Sequence, residues 1–265
     1  MGEGRIKELK DRDFALSRSK YCIFCGGSTP ADSAEHYPPK AVFTERRFPE
    51  GYVFPACQQC NAGTRHQDKV IAFLSRMEPS DDPKLSDELA KLFNSLANER
   101  PKDIRQLFSL SGVEKKKAAE KIQYKIPAGT LYRDLPIVKV PDWIDETVNI
   151  FIQKLTKALH FHHTGLTFPA TGLIESRWYT NANHLAGQIP EQLFNIPTET
   201  PILVRAKVDL SNQFNYRYGI SEDSTFAMYS VFFRYAFCFT SILVFDPSIW
   251  NNGKTTTHGS APESR

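Results

Sequence analysis

The chain has no long uninterrupted apolar run. Its longest apolar stretch, 231–245, is broken by Arg234 and falls short of the roughly 20 residues that a membrane-spanning helix needs. No targeting segment is evident, and Ile6 stands where a myristoylation signal would carry Ser or Thr. Cysteine is scarce, five residues in 265, and an odd count without a secretory leader argues against a disulfide scaffold. Charge of one sign is also lacking. The net charge is only +3, and the excess lies within residues 1–77, with 12 basic against 9 acidic side chains. That is a weak match to a polyanionic partner. There is no internal repeat. The remaining composition, 41% hydrophobic and 24% charged, is that of an ordinary globular chain with room for one large or two modest domains. These absences lead to the expectation of a cytoplasmic protein with no membrane association.

What is present concentrates in residues 21–77. Two Cys-x-x-Cys pairs, Cys22/Cys25 and Cys57/Cys60, enclose the dipeptide Glu35-His36, and Asn61 follows the last cysteine. A lone pair of this kind can be a redox centre, but that requires a thioredoxin-like βαβ setting, which the flanking sequence lacks. Two such clips instead match the four-ligand tetrahedral demand of structural Zn²⁺. Few large apolar residues precede Val70, so metal ligation is expected to supply the folding free energy of this segment. Gly26 and Gly27 allow a tight turn after the first clip. The second clip is expected to open one continuous helix carrying Val70, Ile71, Phe73, Leu74 and Met77. A knuckle, an extended excursion and a helix in that order predict a treble clef.

Cys22-x-x-Cys25, Glu35-His36-Tyr37-Pro38-Pro39-Lys40 and Cys57-x-x-Cys60-Asn61 together resemble the HNH endonuclease family in its four-cysteine form. The match covers about a fifth of the chain. The resemblance implies a ββα-metal module that hydrolyses phosphodiester bonds, with His36 as general base. It also implies a second ion, Mg²⁺ or another divalent cation, held by Glu35 and Asn61. An imidazole suits the base because it titrates near neutrality, and oxygen ligands suit a hard cation. This sequence departs from the family in having Glu rather than Asp before the histidine, and in having no Asn shortly before the second clip. Adjacent residues on a strand also face opposite ways, so Glu35 and His36 share a site only at a bulge or strand end. Pro38-Pro39 predicts such an end. Asn61, Arg65, Asp68 and Lys69 are expected on one helical face. Arg65, Lys69 and Lys40 are candidate phosphate contacts, with a solvated face as the alternative. His66 is a candidate further ligand or an exposed helix histidine.

The rest of the chain is read from its periodicity. Leu85, Leu89, Leu92 and Leu96 predict a helix packed on the core. Shorter helical pieces follow around Ile104–Phe108 and Val113–Gln123, and 132–140 is read as an edge or linker because of Pro136. A long amphipathic helix is expected from an Asp142 N-cap to Gly165. His160 and His163 near its end are candidates for a second metal site, set against a favourable helix-dipole position for a histidine. The segments 202–210, 213–220, 226–233 and 235–245 predict strands of an antiparallel meander, with Cys238 in its core. Residues 251–265 are read as a disordered tail.

The expected architecture is α+β. An N-terminal treble-clef ββα-metal module (1–80) and a helical connection (81–130) lead to an antiparallel sheet with a packed helix (131–250). The expected function is metal-dependent cleavage of nucleic acid, DNA by preference, with a homodimer or a regulatory protein as a further partner. The other reading is a non-catalytic zinc-binding module that recognises nucleic acid or protein.

Overall fold

The computed structural model describes residues 3–78 and 82–248. The predicted tail at 251–265 and the centre of the break at 79–81 lie outside them. The chain begins with helix α1 (Glu3–Arg18), which packs on a short antiparallel hairpin of β1 (Ser33–His36) and β2 (Val53–Ala56). The first cysteine pair precedes β1, and the second begins at the end of β2. Two helices then follow, α2 (Gln58–Ala62) and α3 (Arg65–Leu74). They replace the single helix expected here. The interruption falls at Gly63-Thr64, where a Cβ on Gly63 would meet the Gln59 carbonyl at 2.7 Å, and glycine disfavours helix interiors.

Three helices come next, α4 (Pro83–Glu99), α5 (Pro101–Leu107) and α6 (Gly112–Lys121). Asp82 caps α4 by accepting from the Lys84 N–H, and Ser111 and Glu114 form a capping box on α6. Of the leucine stripe, Leu85 and Leu96 are buried, while Leu89 and Leu92 pack against the core half-covered. Helix α7 (Asp142–Thr164) is the longest element. Its N-cap is Pro141 rather than Asp142, which is already the first helical residue, and it ends as predicted on Gly165 in the left-handed region (φ 71°).

The sheet is antiparallel in the order β3–β8–β7–β6. Its strands are β3 (Leu173–Thr180), followed by the short helices α8 (Asn181–Leu185) and α9 (Glu191–Asn195). After a two-stranded finger, β4 (Val204–Arg205) and β5 (Val208–Asp209), come β6 (Asn215–Ile220), β7 (Phe226–Phe233) and β8 (Phe237–Val244). The finger splits what reads in sequence as one strand over 202–210. Ala206 and Lys207 both take positive φ (48° and 67°), the conformation of a two-residue hairpin turn. Strand β3 has no counterpart among the predicted strands.

Helix α7 is the spine. On one side it packs on the sheet, where Thr156 donates to Ser241 at 2.8 Å. On its other side Phe151 meets Tyr37 with ring centroids 5.4 Å apart, and Lys157 donates to the Phe24 carbonyl at 3.0 Å. The main apolar core accordingly runs from Ala15 of α1 to Leu243 of the sheet, with Tyr179, Phe194 and Cys238 in a small separate cluster. Ile23, Phe24, Tyr37, Val42, Phe43, Phe48, Tyr52 and Phe54 are all buried in it. The segment before Val70 is therefore not core-poor, and its aromatic packing does not leave metal ligation as the sole source of folding free energy expected from the sequence. No helix among the described residues is long and apolar enough to cross a membrane.

Candidate functional site

The four cysteines meet as the spacing predicts. The Sγ atoms of Cys22, Cys25, Cys57 and Cys60 lie within 4.8 Å of one another. Among the described residues this is the one group of His, Cys and acidic side chains arranged to hold a metal ion. The thiols need a cation if all are to ionise together. Burial pushes Cys22 up, and burial together with neighbouring Cys57 and Cys22 pushes Cys60 up. Burial opposes ionisation of Cys25 too, but hydrogen bonds from Ser28 and Thr29 bring it down to about 6. Four thiolates carry more negative charge than a divalent ion cancels, and Lys157, which feels Cys60, Cys25 and Cys22, offsets part of the remainder. The set is compatible with structural zinc.

The residues between the pairs diverge. Strand β1 runs in register to its end, with Glu35 opposite Phe54 and His36 opposite Val53. No bulge intervenes, so the two side chains leave opposite faces of the hairpin. Pro38 and Pro39 do end the strand, but one residue too late to bring them together. Glu35 turns inward and is 4% exposed. It forms an ion pair with Lys154 of α7. The Lys154 ammonium also donates to the Cys60 carbonyl at 2.8 Å and to Thr64 Oγ1 at 2.7 Å. Burial raises the Glu35 carboxyl to about 8, against the opposing pull of Lys154. Asp68, beside this pair, is likewise raised by burial, to about 6.

His36 turns outward to α1, where its Nε2 lies 2.9 Å from Asp11 Oδ2. Its ring meets Phe48 edge-on at 4.5 Å between centroids. Two cations share that phenyl ring, Lys40 at 4.8 Å and Arg205 at 4.7 Å from its centroid. Arg205 arrives there because the β4–β5 finger docks on Glu50. The Glu50 N–H donates to the Val204 carbonyl, and the Glu50 carboxylate accepts from the Ala206 N–H, both at 3.0 Å. His36 is partly open, with 16% of its side chain exposed.

Asn61 donates through Nδ2 to the Ala34 carbonyl at 3.2 Å. Asn61 thus ties α2 to β1. His66 lies 3.1 Å from Arg100, Lys69 pairs with Glu99 and donates to Ser95 at 3.1 Å, and Arg65 is exposed. Of the three candidate phosphate contacts, only Lys40 therefore stands beside His36.

A divalent cation held by Glu35 and Asn61 does not fit this arrangement. One carboxylate oxygen of Glu35 is taken by an ammonium, the group is sealed from water, and His36 lies across the sheet. The second metal site considered at His160 and His163 is not formed either. His160 sits in the core with Nδ1 3.3 Å from the Tyr229 hydroxyl, and His163 meets the Tyr216 hydroxyl at 2.9 Å and stacks on Tyr218. His160 is buried and His163 half-buried, so they pack as aromatic rings with polar handles.

Lys154 and Asp11 are the residues that sequence reasoning missed. Lys154 left a trace, since it interrupts the apolar stripe of α7 between Phe151 and Leu155, and a lysine in a buried stripe needs a partner. Asp11 left none, being one of many charges in α1. Comparison with protein-family models, curated proteins and solved structures gave no match.

Proposed function

We propose that the chain is a zinc-stabilised nuclease of the HNH type that hydrolyses phosphodiester bonds in DNA with His36 as general base. The observation that supports this most is the setting of His36: a partly open imidazole held by a carboxylate, with Lys40 and Arg205 at the neighbouring ring. Asp11 fixes the imidazole and offsets the positive charge it gains on taking a proton from water. The two cations favour the approach of a phosphate and the charge that develops on it. Zn²⁺ at the four cysteines holds the hairpin that carries His36, in the knuckle, hairpin and helix order of a treble clef. No step is assigned to a divalent ion at Glu35.

The other reading, a zinc module that binds nucleic acid or protein without cutting it, is favoured by the enclosure of Glu35. Cleavage of plasmid DNA by the zinc-loaded chain and by His36→Ala, with and without Mg²⁺, Mn²⁺ or Ni²⁺, separates the two. Loss of cleavage in a folded His36→Ala protein supports the nuclease. Equal background cutting by both proteins under all conditions favours the binding module. Labelled single-stranded RNA in parallel reactions decides between nucleic acids.

A further inference from the structure

We infer that the Lys154 ammonium fills an oxygen-lined cation site between β1, α2 and α3, and thereby keeps divalent ions away from Glu35. An ammonium has three protons to donate, and here each has an oxygen: Glu35 Oε1, the Cys60 carbonyl and Thr64 Oγ1. A carboxylate, a carbonyl and a hydroxyl are also the donor types that hard cations take. The pocket contains more acceptors than the lysine can satisfy. Glu35 Oε2 and Asp68 Oδ1 are both buried without a hydrogen-bond partner among the described residues. The rings of Phe24 and Tyr37 close over the ammonium at 4.9 and 5.0 Å, adding quadrupole attraction for a positive charge.

The occupant is fixed in place. Lys154 is 7% exposed and belongs to the middle of a 23-residue helix packed on both sides, so it has no route to withdraw. A divalent ion entering the pocket would face an ammonium at contact distance in a medium that screens poorly. Removal of the ammonium leaves the buried Glu35 carboxyl, a carbonyl and a hydroxyl around a gap of cation size, with Asp68 close enough to feel the same charge. This inference concerns ion binding alone and stands whether or not the chain cuts DNA.

The experiment uses the full zinc-loaded chain and reads bound Mn²⁺ from the loss of the free-ion electron paramagnetic resonance signal, with thermal denaturation in parallel. Mn²⁺ leaves the thiolate site to zinc because thiolates favour the softer ion. Wild type is expected to take up no Mn²⁺ at Glu35 and to show no metal-dependent change in Tm. Lys154→Ala is expected to bind one Mn²⁺ at least about tenfold more tightly than wild type, a coupling of ordinary size between sites, and to gain thermal stability from it. Adding Glu35→Gln to that variant should abolish both effects. Lys154→Gln, which retains much of the side-chain volume, serves if the alanine variant does not fold; if neither folds in its absence, Mn²⁺ must restore folding of at least one. Mn²⁺ bound by wild type and released by Glu35→Gln would overturn the inference. So would Lys154 variants that take up no ion, or that Mn²⁺ does not rescue.

Discussion

Glu35 and His36 are separated by one peptide bond, yet the hairpin places them in different solvents. On the Glu35 side, α7, α2 and α3 close over a carboxylate and answer it with an ammonium. On the His36 side, α1 and the β4–β5 finger leave an imidazole partly open beside a carboxylate, with two cations at the neighbouring Phe48 ring. Strand alternation alone creates the division. Its lesson is that a dipeptide motif does not define a site until the elements covering each face are known. One face has become an internal joint, and the other stays partly open to solvent.

The most drastic way to test the division is to remove the zinc proposed to hold the hairpin. Chelation of zinc, or Cys57→Ser, is expected to release about one Zn per chain and to forfeit on the order of 10 kcal/mol of ligation free energy. Because the core is continuous, circular dichroism and tryptophan fluorescence should then report one concerted loss of structure, not the melting of a separate module. A module that melts alone while the sheet persists would show that the two halves are energetically independent.

The inner face comes next. Breaking a buried ion pair from one side costs about 3–5 kcal/mol, and Lys154→Met is expected near the lower end, because burial already disposes Glu35 to take up a proton. Pairing it with Glu35→Leu should restore most of the loss in urea denaturation, as expected when both buried charges are removed together. Acid should reach the same interior through α7. Burial lowers His160, His162 and His163 to about 4 each, with His163 itself lowering the first two further. Their folded forms therefore bind protons less readily than the unfolded chain. Stability from these groups is complete above the unfolded value near 6.5 and is lost as the pH falls through about 4, by up to about 3 kcal/mol for each ring and less for those partly exposed. A Tm that stays flat between these limits would contradict their burial as neutral rings.

The outer face should behave in the opposite way, with much function and little stability at stake. His36→Ala is expected to slow DNA cleavage by about 10²–10⁴-fold, the usual worth of a general base. Its Tm should change little, since the residue lies at a partly open surface. Asp11→Ala should slow cleavage by a smaller factor, about tenfold to a hundredfold, the value of one hydrogen bond to a charged group. Large destabilisation by either variant, without a specific effect on turnover, would make the His36–Asp11 contact a structural clasp.

Legibility in the sequence followed the range of the interactions. The cysteine cluster was readable because ligand spacing within each pair is local, and α7 because its apolar stripe repeats over 23 residues. Strands β6, β7 and β8 stood out for their alternating aromatic and β-branched residues. Strand β3 did not, because it lies at a sheet edge with Glu175, Ser176 and Arg177 along its middle, where one-sided burial weakens the hydrophobic signal. The break at Gly63-Thr64 was hidden by the helical spacing on either side of it. The inner face of β1 depended on a partner 119 positions away, and no local pattern encodes such a meeting. Asp11 was illegible for the same reason, as one acid among many in a charged helix.

The reach of Lys154 has a consequence for inheritance and engineering. A segment that ends before α7 would carry all four clustered cysteines and the whole Glu-His motif, yet it would leave the Glu35 carboxylate facing an unfilled gap. The cysteine unit of this chain is therefore not a cassette to be lifted out and grafted elsewhere. A recombinant that borrows residues 21–77 must also borrow a helix with a lysine at the right height, or lose the charge it was built to answer.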